Sequence, residues 1–338
     1  MEAFKVKVLE LRGSTYEIGR QQGEQLNRKH MRWMEDMLTE EIDVNEATAV
    51  FKAFAPHLLE EMEGLADALE LPIEKAMRYF SGYGLPKLET MGCSSVVTKE
   101  YIVRNYDLSP IIYDHQLVFS QPEEAFASVG YSLHQLGRHE SVNEHGVAIA
   151  LHFVNNAHQV TGLISTTITR MMADMCKTTD DCIQLLKELP HACSYNYSIG
   201  DSSGHHVVVE ASPTKVEVRS AETPISCTNH FQAPHMNEFN RERLGSSLDR
   251  KEAIETKKAD GEELFNWFSD STSPMFYEDY EMLFGTLHTF AYFFEEDRFI
   301  TKVANGTETM DLKFSDWVNG KTNLAGELKG SLNMKRSV

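Results

Sequence analysis

The chain of 338 residues contains no apolar run approaching the ~20 residues that cross a bilayer. Its start, MEAFKVKVLEL, lacks the apolar core of a secretion signal, and its end, MKRSV, carries no lipidation or address motif. These absences predict a cytoplasmic protein. Basic residues are also scarce: 32 Lys and Arg stand against 51 Asp and Glu, a formal net charge of −19. A field of that sign repels nucleic acid and anionic membrane surfaces, so neither is expected as a partner. A small anionic substrate stays compatible, because one local basic residue can override the net field. Cysteine is limited to positions 93, 176, 182, 193 and 227, an odd count with no C-x-x-C spacing. That pattern reads as reduced thiols and excludes a disulfide framework or a zinc knuckle. H-E-x-x-H is absent, His205 and His206 are adjacent, and His134 and His139 are five apart, so no metal and no cofactor are expected. Neither an internal repeat nor a low-complexity linker interrupts the chain.

With 41% hydrophobic residues the chain can bury a sizeable core. Residues 5–12 alternate apolar and polar and predict a strand. From residue 13 to 88 the pattern is mostly helical: Ser14 and Glu17 form a capping box ahead of Ile18, Leu26, Met34, Met37 and Leu38 at helical spacing. PHLLEEMEGLADALELP then places Leu58, Met62, Leu65 and Leu69 on one helical face between two prolines. The texture changes at residue 93. SSVVTKEYIVRNYD predicts a hairpin, NEHGVAIALHF a turn and strand, and residues 165–190 a helix pair whose second member starts at Thr178 or Thr179. SYNYSIGD, GHHVVVEA, KVEVRSA and PISCTNHF predict four short strands. Residues 235–265 have helical character, and GTLHTFAYFFEEDRFITKV is expected to close the chain as a hairpin. Strands, a helix pair and strands again suggest an α+β sandwich.

The chemistry gathers at Gly92-Cys93. Were that peptide bond to break, Cys93 would gain an α-amine of pKa about 7.7–8.0, able to act as base for its own thiol without a histidine. The same thiol can attack the Gly92 carbonyl, and glycine gives the backbone freedom for that step. The alternative is a small buried hydrophobe. Arg104 and Asp107 lie on the strand pairing with that of Cys93. Their odd spacing puts them on opposite faces, so convergence on the thiol requires a bulge or strand end near Asp107. An aspartate can hold the amine, and an arginine can lower the thiol pKa or bind a carbonyl. Asn229, at the end of a strand-like run, is either an oxyanion donor or a turn residue. His152, His158 and His230 are pocket candidates or ordinary core histidines.

GCSSVVTKEYIVRNYD, NEHGVAIALHF and CTNHF together resemble the linear amide C–N hydrolases, the choloylglycine hydrolase and penicillin acyltransferase group of N-terminal nucleophile (Ntn) enzymes. RGSTYEIGRQQGEQL resembles the helical lead-in of isopenicillin N acyltransferase, and TLHTFAYFFEEDRFITKV the group's closing hairpin. The resemblance implies a four-layer αββα sandwich of two antiparallel sheets. It implies Cys93 as nucleophile and new N-terminus after cleavage at Gly92-Cys93, Asp107 as partner of the α-amine, Asn229 as oxyanion donor and Arg104 as the active-site arginine. His152, Asn155 and Tyr106 are candidates for substrate or second oxyanion contacts. Residues 1–92 would form an α-subunit and 93–338 a β-subunit, together one compact domain. The bile salt hydrolase branch carries a second arginine late in the chain; the segment aligned with it here, EMLFGTL, has none. The implied activity is transfer of an acyl group from a non-peptide linear amide, through a Cys93 thioester, to water or an amine. The partner would be a small amide or acyl donor, with self-association of the processed α/β heterodimer left open. The alternative is an uncleaved, non-catalytic scaffold of the same fold.

Overall fold

The structure is a computed structural model describing residues 1–26, 42–84, 92–154, 159–280 and 284–334. Met34, Met37, Leu38, Asn155 and His158 lie outside the described residues, as do the first three of EMLFGTL. Among the described residues, strand β1 (Glu2–Gly13) is followed by the helices α1 (Thr15–Gln25), α2 (Val44–Phe54), α3 (Pro56–Ala68) and α4 (Ile73–Phe80). The hairpin β2 (Gly92–Val97) and β3 (Tyr101–Leu108) follows. Next come β4 (Gln116–Pro122), β5 (Ser128–Leu133), β6 (Gly137–Arg138), β7 (Glu140–Asn143) and β8 (Ala148–Phe153). The helix pair α5 (Ser165–Met175) and α6 (Thr179–Glu188) precedes β9 (Tyr195–Gly200), β10 (His206–Ala211), β11 (Val216–Ser220) and β12 (Ile225–Cys227). A 3₁₀ turn (Pro234–Phe239), α7 (Gly245–Thr256) and α8 (Gly261–Ser269) lead to β13 (Glu278–Asp279), β14 (Phe284–Phe293), β15 (Arg298–Val303), β16 (Met310–Lys313), α9 (Phe314–Val318) and β17 (Glu327–Leu332).

Among the described residues, one sheet runs β11, β10, β9, β8, β7, β5, β4, β1, β17, with β6 on β5. The other runs β12, β2, β3, β14, β15, β16, with β13 on β14. The sheets face each other where β2 and β3 meet β8 and β9. Helices α5 and α6 cover the first sheet, and α7 and α8 cover the second, which gives the αββα layering. Alternation sorts the side chains: Cys93, Val97, Ile102, Tyr106 and Leu108 enter the core between the sheets, whereas Val96, Tyr101 and Val103 pack outward under α8.

Local signals read from the sequence hold. Ser14 accepts from the Glu17 amide while the Glu17 carboxylate returns to the Ser14 N–H, and Thr178 caps α6 in the same way with Asp181. Two expectations need correction. The β14–β15 hairpin does not end the fold: β16, α9 and β17 follow, and β17 pairs antiparallel with β1. The first sheet is also not wholly antiparallel, because β1 and β4 pair parallel, Lys7 against Gln116 through Gly13 against Pro122. Between them the chain makes a long connection through the helices and the other sheet's hairpin, so β4 can enter in the same direction as β1. Among the described residues no helix is long and apolar enough to cross a membrane.

Helices α1 and α3 touch backbone to backbone. A Cβ on Gly19 would stand 1.9 Å from the Glu61 carbonyl oxygen, and one on Gly64 would stand 1.9 Å from that of Tyr16. Alanine is favoured over glycine inside a helix by about 1 kcal/mol, but backbone overlap this deep outweighs that gain. Gly19→Ala should lower the unfolding free energy by about 2 kcal/mol, as read by denaturant titration; a stabilised variant would show that the two helices are not in this contact.

Candidate active site

The β2–β3 turn is short. Thr98 N–H donates to the Tyr101 carbonyl at 2.9 Å, and Thr98 Oγ1 accepts from the Glu100 and Tyr101 amides. This turn fixes the register: Gly92 opposite Asp107, Cys93 opposite Tyr106, Ser95 opposite Arg104. Arg104 therefore shares the Cys93 face, between the sheets, while Asp107 shares the outer face with Ser94 and Gly92. The sequence reading required a bulge or strand end for Arg104 and Asp107 to meet at the thiol. Instead β3 keeps its alternation, and the register shift lies in the neighbouring β14, between Thr286 and His288. The two residues flank Cys93 from opposite faces. Glycine at position 92 answers to space rather than backbone freedom: it lies in regular strand, and a Cβ there would meet Asp107 Oδ2 at 2.7 Å.

The backbone of Cys93 is held from two sides. Its N–H donates to Asn229 Oδ1 at 2.9 Å, and its carbonyl accepts from Arg250 Nη1 at 2.6 Å. Arg250 also donates to Ser94 Oγ at 2.6 Å and, through Nη2, to Asn229 Oδ1 at 2.7 Å. Asn229 Nδ2 donates to the Phe153 carbonyl at 2.9 Å, so its amide bridges β2 to β8. Across the hairpin, Asp107 Oδ1 accepts from Thr286 Oγ1 at 2.7 Å.

Cys93 is fully buried. Burial pushes its thiol up to about 11, against the pull of Arg104, Arg250 and the Asp107 backbone N–H, with the Asp107 carboxylate adding to the rise. Burial likewise raises the Asp107 carboxyl above its ordinary value, opposed mainly by Arg250 and the Thr286 hydroxyl. Arg104 donates to the His139 carbonyl at 2.9 Å and to Glu140 Oε2 at 2.5 Å, and its guanidinium lies 4.7 Å from the Tyr106 ring centre. Glu140 also receives His288 Nε2 at 3.0 Å. Burial alone would raise this carboxyl, but His288 and Arg104 win and hold it at about 2. Tyr106 Oη is buried without a hydrogen-bond partner among the described residues. His152 is a core histidine: burial holds it well below its usual range, its Nε2 meets Ser95 Oγ at 3.0 Å and Ser198 Oγ at 3.2 Å, and the ring leans on the Cys93 backbone.

The structure thus brings Cys93, Arg104, Tyr106, Asp107, His152 and Asn229 to one place. His230 lies beside it on Ser247, its Nδ1 at 2.8 Å from Oγ. Arg250, Glu140 and His288 are missed by the sequence reading. Neither Glu140 nor Arg250 carried a usable signal: Glu140 lies in the polar run RHESVNE, and the polar helix of Arg250 resembles any solvated one.

Residues 96–308 match the family model described as acyl-coenzyme A:6-aminopenicillanic acid acyl-transferase. That is more than half of the chain, and the chain belongs to this family. The match begins past Cys93 and takes in Arg104, Asp107, Asn229 and Arg250. No curated protein sequence matches the chain. Solved structures similar to it include a conjugated bile acid hydrolase variant from Clostridium perfringens, with 10% identity, TM-score 0.42, 73% of this chain and 100% of that one covered. Penicillin V acylase from Agrobacterium tumefaciens has 12% identity, TM-score 0.40 and coverage of 66% and 87%. The Caenorhabditis elegans ortholog of N-acylethanolamine-hydrolyzing acid amidase has 11% identity, TM-score 0.39 and coverage of 59% and 92%.

Glu140 makes the Arg104 charge tolerable in the core, and Glu140→Gln should lower the unfolding free energy by about 3 kcal/mol at pH 7. Its carboxyl sits below the ordinary 4.5 at about 2, so the contribution is complete above 4.5 and fades as pH falls through 2. The gap between wild type and variant should narrow over that window in denaturant titrations; a gap independent of pH would show that the carboxylate is not the partner.

Proposed function

We propose that the chain is an autoprocessed N-terminal cysteine amidohydrolase or acyltransferase acting on non-peptide linear amides. The observation that carries this reading is that the polar groups converge on the backbone of Cys93. An asparagine carbonyl on its N–H and a carboxylate against the preceding glycine do little for a thiol alone. They suit a nitrogen that becomes a free amine. Membership of an acyltransferase family supports the same chemistry.

In processing, Cys93 Sγ attacks the Gly92 carbonyl carbon, the C–N bond breaks, and the thiol proton passes to the Cys93 nitrogen. Water then hydrolyses the thioester, leaving a Gly92 carboxylate and the α-amine of Cys93. In turnover that amine takes the thiol proton, and sulfur attacks the substrate carbonyl. The proton passes to the leaving amine, and the acyl group stays as a thioester until water or an acceptor amine displaces it. Asp107 and Asn229 Oδ1 hold the amine. Arg104, on the same inner face as the thiol, lowers its pKa, without net charge because Glu140 balances it. We assign the oxyanion to Tyr106 Oη, a donor across the hairpin from Cys93 that has no partner among the described residues. Asn229 Nδ2 is the second donor once it leaves the Phe153 carbonyl. All five cysteines are free thiols, which suits a reducing cytoplasmic setting.

The competing reading, an uncleaved scaffold, draws on the complete burial of Cys93. Intact mass under denaturing conditions separates the two. Wild type should give two fragments meeting at Gly92/Cys93, and Cys93→Ala one full-length species. A single full-length wild-type species, inactive on a panel of N-acyl amides, would sink the enzyme reading.

A further inference from the structure

Two guanidinium groups flank Cys93, and they differ in charge balance. Arg104 is matched by Glu140 at hydrogen-bond distance. Among the described residues Arg250, half-buried on α7, donates through Nε to the Ser246 carbonyl at 3.2 Å and otherwise to Cys93 O, Ser94 Oγ and Asn229 Oδ1. Among the described residues no carboxylate forms an ion pair with it. One oxygen, Asn229 Oδ1, therefore accepts from both the Cys93 nitrogen at 2.9 Å and the Arg250 cation at 2.7 Å.

We propose that Arg250 is a positioning residue that keeps the α-amine of processed Cys93 unprotonated near neutral pH. The proposal rests on the reading that Cys93 becomes an N-terminus. An amine can donate one hydrogen to Asn229 Oδ1 and keep its lone pair for the thiol proton. An ammonium at the same place would face a guanidinium across a single oxygen, and like charge disfavours the charged form. The other groups around that nitrogen leave Arg250 as the deciding cation. On β3, Arg104 is compensated by Glu140, Tyr106 is neutral, and Asp107 is the one opposing charge, its carboxyl raised by burial. On β8 and β9, burial keeps His152 and Tyr195 neutral. Beyond Asn229, the Cys227 thiol is pushed up to about 12 and His230 down to about 4, so both are neutral too. Arg250 also fixes Asn229 and the Cys93 carbonyl, so charge and geometry must be separated by experiment.

The test uses the processed protein and an N-acyl amide that wild type turns over. The acid limb of kcat/KM against pH should move up by about one unit in Arg250→Gln and stay at the wild-type position in Arg250→Lys, which keeps the charge. An unmoved limb in a fully cleaved Arg250→Gln, or equal shifts in both variants, would overturn the proposal. Should Arg250→Gln fail to fold or cleave, ¹⁵N-cysteine labelling of the wild type gives the α-amine titration directly. It should lie below the ordinary 7.7–8.0, and a value within or above that range would overturn the proposal. Failure of the underlying reading is distinct, since wild type would then remain one full-length species by mass.

Discussion

The register of the β2–β3 hairpin is the constraint from which the site follows. Pairing Cys93 with Tyr106 places the thiol in the seam between the sheets, and the same pairing turns Asp107 outward against Gly92. Because side chains alternate, a slip of β3 by one residue would turn its faces over: the carboxylate would enter the core, and Arg104 and Tyr106 would leave the face of the thiol. The hairpin separates the chemistry of one residue, sulfur on the inner face and nitrogen against the outer one. Asn229, reaching from the end of β12, ties that nitrogen to β8 of the opposite sheet through the Phe153 carbonyl.

Charge is distributed along the same division. On the inner face, burial is complete, and a cation is tolerable only as part of the Arg104–Glu140–His288 group. On the outer face, solvent reaches α7, and among the described residues no carboxylate forms an ion pair with Arg250, which acts on Asp107 only through its charge. The formal charge of −19 does not describe either environment, because each is set by the few charged groups packed around Cys93. Two arginines of unlike compensation give the thiol and the nitrogen separately adjustable surroundings.

How much was legible in the sequence follows from the range of each interaction. The hairpin, the Ser14 and Thr178 caps and the strand carrying Asn229 rest on neighbours within a few residues, and they could be read directly. The nearness of Arg104 and Asp107 to Cys93 depends on a strand pairing that the short turn fixes, so their placement was legible and their faces followed from alternation. The register shift that faces Asp107 belongs to β14, at Thr286, 179 positions along the chain. Arg250 lies in a helix with a weak apolar face, and its meeting with Cys93 spans 157 positions. No local pattern encodes such a contact. The pairing of β1 with β17 is hidden for the same reason, since it joins the two ends of the described chain.

That last pairing bears on what a cut before Cys93 would do. Strand β1 is an interior strand, bonded to β17 on one side and β4 on the other, so the N-terminal segment completes a sheet whose remaining strands follow the cut. A second tie is electrostatic. Arg170 of α5 donates to Glu61 at 2.7 Å and to Asp174 at 2.8 Å, and Asp174 meets His57 Nε2 at 2.9 Å. Glu61 and His57 belong to α3 before the cut, Arg170 and Asp174 to the segment after it, and all four are buried. Pulling the pieces apart would strand ionised groups and expose two strand edges at once, each costing several kcal/mol. Breaking one peptide bond inside β2 removes none of these contacts. The fold can therefore release the nitrogen of Cys93 without releasing the segment that precedes it.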